Sequence, residues 1–422
     1  MSERSNIVST GERILEDHEI CDNCLGRLFG KLSHGLTNRE RGMSLRTVAG
    51  MDLDKPLKED NSCEICLGLY SNLDDRVEKT VAEVEEYEFS TFLFGNRLRR
   101  DWKRNQERIV KEYDLNKAED FSHAVNRVLG KRFREKLKQR GITVEADFET
   151  PDLTVLLDFE NGRIETEIRS VYVYGRYRKL ARGIPQTVWT EKGYSTSVEE
   201  IISRPARAFS GAAASLFHGG GREDVDVLCL GRGRPFVLEL EEPKVRKLDL
   251  DGVADRINES KEVQVSNLRK VPREVVEEVK SARPDKIYRA LIESNHEIEE
   301  ERFLEGLKGL VGRIFQRTPT RVSHRRSDLV RVRQVYGARG RRVSRKRYEA
   351  YIWAESGLYI KELITSDRHR SLPSLAGQYD CKLTVAELDV ANIFGKLEKS
   401  KGGDYSFEQD KEVAKTIFTG NY

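Results

Sequence analysis

The sequence predicts an α+β chain of more than one domain, whose largest piece is built on a mixed, mainly antiparallel sheet. Three observations carry that reading. Four cysteines fall into two CxxC pairs within the first seventy residues, a helical pattern gives way to an alternating hairpin between about 71 and 175, and strand-like runs dominate from 191 onward. A doubly wound parallel sheet would alternate strand with helix, whereas here several strands follow one another with few helices between. The chain has 422 residues, enough for two or three separate cores. The expected organisation is a zinc-binding module over 1–70, an α+β domain over 71–190 and a larger domain over 191–422.

In the first segment, Cys21, Cys24, Cys63 and Cys66 form CDNC and CEIC, separated by a 38-residue insert. Each pair offers two thiolates, and two pairs complete a four-thiolate structural zinc site with no vacancy for catalysis. Both pairs continue with Leu-Gly, a repetition that extends beyond the ligands. Disulfides are the competing use of such cysteines, and an intracellular setting disfavours them. Cys229 and Cys381 stand singly in apolar runs and are expected to be core residues.

The second segment opens with DDRVEKTVAEVEEYEF, where Val77, Val81 and Val84 recur at helical spacing before FSTFLFG turns strand-like. A second helix is expected in AEDFSHAVNRVLGKRFREKLKQRG, with Phe121, Val125, Leu129 and Phe133 on one stripe and Gly141 as its stop. In DLTVLLDFENGRIETEI, Leu153, Val155, Leu157 and Phe159 alternate, and Asn161-Gly162 is read as a two-residue hairpin turn. The stretch VYVYGRYRKLARGIPQTVWT, residues 171–190, leads out of this domain. It interleaves Arg176, Arg178, Lys179 and Arg182 with Tyr172, Tyr174, Tyr177 and Trp189, which offers phosphate partners and stacking surfaces. Packing of those rings inside the protein is the alternative.

Beyond 191, VLCL, FVLEL, EVQVSNL, DKIYRALIES, LVRVRQVYGA, YEAYIWAES, GLYIKELI and KLTVAELDVANI read as strands and PREVVEEVKSA as a helix. GRGRPF reads as a turn carrying Arg232 and Arg234. Neither a GxxxxGK[ST] loop nor a spaced GxGxxG occurs, so an organic nucleotide cofactor has no support. No run of 18 apolar residues is present and the first thirty residues lack an apolar leader, so a soluble, cytoplasmic protein without membrane contact is expected.

Charge points to a polyanion. The formal net charge is only +3, yet from Arg313 to Arg347 thirteen Arg or Lys residues face one acid, Asp328. Acidic stretches such as 71–88 hide this local basic surface in the total. Arg325, Arg326, Arg331 and Arg333 are candidate phosphate contacts, with Arg178 and Lys179, and strand alternation puts Arg331 and Arg333 on one face. One stretch resists a bland reading. FHGGGREDVDVLCLGRGRPF sets Arg222, Glu223, Asp224 and Asp226 between glycines and an apolar run, where an ionised carboxylate must be paired or is costly. These acids, with Glu239, Glu241 and Glu242, would also suit a divalent-metal cluster of a nuclease or phosphotransferase. A non-catalytic RNA-binding module is a third reading.

The paired CxxC motifs, YGRYRKLARGIPQTVW, FHGGGREDVDV, GRGRPF, KIYRALIE, QRTPTRVSHRRSDLVRVR and GLYIKEL together resemble the archaeal and eukaryotic family of tRNA pseudouridine synthases that modify T-loop uridines 54 and 55. The resemblance covers most of the chain. It implies a C-terminal pseudouridine synthase catalytic domain joined to an N-terminal part with a THUMP domain and a zinc site, and tRNA as partner, with no obligate protein partner evident. By matching motifs, it implies Asp224 as catalytic aspartate with Arg222 as motif partner, and Tyr288 of KxYRA as the ring on the target base. It further implies Lys361 as the cation paired with the aspartate, in the element of Gly357, Tyr359 and Ile360. Leu228 and Cys229 depart from the arginine and methionine expected after VDV. The implied reaction uses no redox cofactor, ATP or catalytic metal. It needs an ionised carboxylate near the anomeric carbon, a ring that holds the base and a cation, which Asp224, Tyr288 and Lys361 supply. Asp224 either attacks the sugar or assists formation of a glycal.

Overall fold

Local signals write the first helices. Thr37 closes a capping box with Glu40 at the start of the third, so α1 (Glu3–Asp17), α2 (Asp22–Leu28) and α3 (Asn38–Asp52) precede the expected helix α4 (Leu73–Val84). The computed structural model describes residues 3–32, 35–57, 62–189, 193–324, 327–379, 381–395 and 418. After α4 come β1 (Thr91–Arg97), α5 (Arg100–Glu112), α6 (Phe121–Gln139), β2 (Glu145–Ala146), β3 (Leu153–Asp158) and β4 (Arg163–Ile168). The valine stripe of α4 and the Phe121, Val125, Leu129, Phe133 stripe of α6 are buried as their spacing requires. Their sheet runs β2-β1-β3-β4, with β1 parallel to β2 and β3 and the last pair antiparallel.

Two expectations change here. Asp158 pairs with Arg163, so the β3–β4 connection has four residues, 159–162, rather than the two-residue turn. The Asp158 carboxylate closes it by accepting from the N–H groups of Glu160 and Asn161 at 2.9 and 3.0 Å. One continuous core, from Ile14 and Cys24 through Val81 to Phe133 and Leu157, joins the cysteine segment to α4, α6 and the four-stranded sheet. The boundary expected at residue 70 is therefore absent, and Met1–Arg169 with Glu242–Arg246 is one compact unit.

The second unit, Ser170–Glu241 with Lys247–Tyr422, begins twenty residues before the boundary expected at 190. Strand β5 (Val171–Lys179) lies between two other strands of the large sheet and belongs there. It is followed by α7 (Val198–Ser210), β6 (Ala214–Gly219), β7 (Leu228–Glu241), α8 (Leu250–Asn258), β8 (Val263–Val271), α9 (Glu274–Ser281) and β9 (Lys286–Ser294). Next are α10 (Glu300–Lys308), β10 (Gly312–Arg317), β11 (Val330–Ser344), β12 (Arg347–Ala354), α11 (Ile360–Thr365), β13 (Ser371–Leu372) and β14 (Leu383–Ile393). The ten-stranded sheet runs β13-β10-β11-β12-β9-β14-β7-β5-β8, with β6 also beside β7. Every neighbour is antiparallel except β14 and β7, as a mixed, mainly antiparallel sheet requires.

GLYIKELI is helical rather than extended: Ile360, Leu363 and Ile364 are buried at helical spacing. VLCL and FVLEL are one strand, β7, and GRGRPF lies inside it. A bulge makes this possible. Tyr177 pairs with Arg234 while Lys179 pairs with Cys229, and the extra residues turn at Gly231 and Gly233, φ 57° and 76°.

Candidate active site and cysteine cluster

The loop between β6 and β7 answers the question its charges raise. Glu223 is buried and accepts from the Tyr177 hydroxyl at 2.8 and 3.0 Å and from Arg234 Nε at 2.7 Å. Arg234, equally buried, donates onward to Gly220 O, and Gln186 bridges Tyr177 Oη and Gly221 O, both at 2.8 Å. Burial by itself lowers the Arg234 pKa, but Glu223 beside it more than offsets this, so the guanidinium is held firmly charged. With Glu223 committed inward, Arg222, Asp224 and Asp226 remain exposed. The Arg222 guanidinium lies 5.8 Å from the Trp189 ring centroid.

Beneath the loop, Lys179 corrects an expectation. Its ammonium is fully buried and donates to the carbonyls of Ile184, Asp224 and Val225 at 2.8, 3.1 and 2.9 Å, so it holds this loop and does not face a phosphate. Burial depresses its pKa, with Glu223 opposing. Arg178, one position earlier, points to the surface and bonds Gln264. Arg182 ties the loop from another side, donating to Asp226 O and to the buried Asp389, which also accepts from Leu228 N at 3.2 Å.

Tyr288, on β9, packs against the cluster of Val227, Cys229, Val390 and Ile393, which joins it to the end of the Asp224 loop. Burial pushes its phenol up to about 12, with Arg234 opposing, so it is a neutral hydroxyl near pH 7. Lys361, at the start of α11, meets the loop at Asp226 Oδ2, 3.3 Å away, and not at Asp224 as expected. Tyr359 is fixed by a reciprocal pair: its N–H donates to Gln316 Oε1 and its carbonyl accepts from Gln316 Nε2, both at 2.8 Å. Ile360 is a core residue, and Gly357 turns with φ 88°. Arg331 and Arg333 are half-buried with partners of their own, Thr318 Oγ1 at 2.8 Å and Glu355 at 3.7 Å. Arg325 and Arg326 lie outside the described residues.

The acids are not gathered as a divalent-metal cluster would need, because Glu223 serves Arg234 and Glu239 serves His218 and Tyr172. Among the described residues, the group that could hold a metal ion is Cys21, Cys24, Cys63 and Cys66, all buried, with sulfur atoms within 4.8 Å of one another. A neighbour supports that fit. Arg27 is fully buried, stacks 3.8 Å from the Phe121 centroid and reaches Cys24 Sγ at 3.6 Å, while its Nε and Nη1 have no hydrogen-bond partner among the described residues. Four neutral thiols would leave this cation unbalanced in the core; thiolates around a divalent ion carry net negative charge and balance it.

Residues 172–393 match the family model described as Pus10, C-terminal, and residues 76–158 match the Pus10 THUMP domain, archaeal. The chain belongs to the Pus10 family of tRNA pseudouridine synthases. Relatives named tRNA pseudouridine synthase Pus10 include that of Pyrococcus furiosus, 38% identical over 93% of this chain and 99% of its own. Those of Methanothrix thermoacetophila and Thermoplasma acidophilum are 37% and 38% identical over 93% and 90% of this chain and 95% and 97% of theirs. The Pus10 C-terminal match begins on β5, in step with the unit boundary, and contains Asp224, Tyr288 and Lys361. The Pus10 THUMP match runs from α4 to the end of β3.

Sequence reasoning named Glu223 and Arg234 without pairing them and missed Gln186, which braces the loop, Gln316, which fixes Tyr359, and buried Lys286. Lys286 Nζ donates to Ser356 Oγ at 3.1 Å, and burial, then Arg234, lowers its pKa to about 8. For Arg234, Gln316 and Lys286 the available signal was a polar side chain on a strand, retained when it has a partner.

Proposed function

We propose that the protein converts uridine to pseudouridine in tRNA, at T-loop position 54, 55 or both, with Asp224 as the acting carboxylate. The N1–C1′ bond breaks and a C5–C1′ bond forms; the C5 proton leaves and N1 takes one up, so atoms and electrons balance without redox cofactor or ATP. The observation that carries the reading is the division of labour in the loop: buried Glu223 anchors it, and Asp224 stands exposed one residue later. Tyr288 would stack on the flipped base as a neutral ring, and Lys361, through Asp226, holds the facing helix to the loop. Arg222, Tyr359, Arg178, Arg331 and Arg333, with Arg325 and Arg326, are the proposed RNA-contacting set. The four cysteines hold a structural zinc, and the first unit carries tRNA binding. Cytoplasmic action on tRNA without an obligate protein partner completes the reading; among the described residues no helix is long and apolar enough to cross a membrane.

The test is mapping of pseudouridine by carbodiimide-adduct stops on unmodified tRNA transcript, followed by single-turnover conversion with saturating enzyme. New stops in the T loop are expected with the wild-type protein and none with Asp224→Asn, which keeps size and tRNA affinity but removes the charge. Substantial product from Asp224→Asn, or stops confined to another part of the tRNA, would overturn the assignment.

A further inference from the structure

A second cation meets α11, the helix that carries Lys361, from within the QRTPTRVSHRRSDLVRVR stretch. After β10 the chain makes a single tight turn at Thr320–Val322, and Arg321 leaves it toward α11. Arg321 Nε donates to Glu362 Oε1 at 2.7 Å, and the guanidinium lies 5.9 Å from the Tyr359 centroid. Glu362 is buried, and its other oxygen, Oε2, has no hydrogen-bond partner among the described residues. Burial opposes the charge on Arg321, while Glu362, then Asp224 and Tyr359, favour it.

The backbone around this turn is held at a cost. Ser366, Asp367, Arg368 and His369, directly after α11, have φ of 70°, 47°, 58° and 65°. None is a glycine, and the left-handed region costs each roughly 1–2 kcal/mol, so surrounding contacts must compel it. Those contacts are with the Arg321 segment. Asp367 Oδ2 accepts from Thr320 N at 2.8 Å, Arg370 Nε donates to Thr318 O at 3.0 Å, and Arg317 N donates to Arg370 O at 2.7 Å. Thus α11 grips the Asp224 loop through Lys361 and the Arg321 segment through Glu362, and its left-handed exit fixes the latter from both flanks.

We propose that Arg321 is a positioning residue of the active site, set by Glu362 to hold the Tyr359 ring on the element that grips the Asp224 loop through Lys361. This rests on the pseudouridine synthase reading above. Arg321 is half-exposed, and glutamine can still donate to Glu362, so Arg321→Gln should leave the fold intact and its effect belongs in the chemical step.

The experiment measures single-turnover conversion of unmodified tRNA transcript at saturating enzyme, together with tRNA Kd by filter binding. The proteins are wild type, Arg321→Gln, Arg321→Lys, Glu362→Gln and the double variant Arg321→Gln/Glu362→Gln. Arg321→Gln should slow conversion about ten- to a hundredfold, the range of one charge-assisted hydrogen bond, with Kd nearly unchanged. Arg321→Lys should recover part of the rate, since charge returns without the planar fork. The double variant should be no slower than the slower single one, because the two residues act as a unit. A wild-type rate in Arg321→Gln, or a loss confined to Kd, overturns the proposal while conversion by the wild type leaves the parent reading standing. If Glu362→Gln does not fold, the two Arg321 variants decide alone. A wild-type protein that makes no pseudouridine removes both.

Discussion

Glu223 shows what one residue contributes when burial and charge coincide. Its carboxylate and the Arg234 guanidinium are each no more than 1% exposed, so neither can turn to water when the other is lost. Glu223→Gln should cost about 3–5 kcal/mol in urea unfolding, the range for removing one partner of a buried ion pair. Glu223→Met with Arg234→Met should recover much of it, because no charge is then stranded; equal losses in single and double variants would mean that the packing, not the pair, carries the stability. Lys286 makes a different residue-level prediction. Its pKa is lowered from 10.5 to about 8 in the folded protein, so between those values the unfolded chain binds more protons. Stability from this group is therefore depressed below pH 8 and rises as pH increases toward 10.5. Lys286→Met should gain most over wild type near pH 7 and lose that advantage across this window. Melting temperatures that differ by a constant amount at every pH would contradict the shift.

At the scale of elements, β7 depends on a bulge. A Cβ at Gly231 would lie 2.3 Å from Ala391 O on β14, in a backbone with φ 57°. Gly141, after α6, has φ 79° but nothing within 4 Å of its would-be Cβ. Gly141→Ala should thus cost only the left-handed penalty of roughly 1–2 kcal/mol, while Gly231→Ala should cost clearly more, read from thermal unfolding of each. Equal costs would show that β14 yields. The cysteine pairs bind α2 to the turn that precedes α4, and they do so within the core of the first unit. Cys63→Ser should abolish the metal, about one zinc per chain by elemental analysis in the wild type, and destabilise that unit. Retention of zinc by Cys63→Ser would place the ion elsewhere.

For the whole molecule, +3 conceals a basic stretch from 313 to 347. Binding to tRNA should weaken with salt, and replacing Arg325 and Arg326 by alanine should reduce the slope of log K against log salt by up to about 2, close to one for each phosphate no longer neutralised. An unchanged slope would move the RNA path away from these arginines.

What the sequence determined by itself was local: the α4 and α6 stripes, the strand character of β1, β8, β9 and β12, and the cysteine spacing. Such features depend on neighbours one to four positions away, and the side-chain periods of helix and strand make them readable. Tertiary structure decided which carboxylate of GREDVD is buried, that Lys179 supports the loop from beneath, that Lys361 meets Asp226, and that β5 joins the second unit's sheet. It also decided that GLYIKELI is helical, where eight residues are too few for periodicity to choose. The partners concerned are remote: Arg234 is 11 residues from Glu223, Glu362 is 41 from Arg321 and Lys361 is 135 from Asp226. Whether a charge is buried or solvated depends on what the fold sets against it, and that pairing is made by the sheet, which brings strands together across the length of the chain.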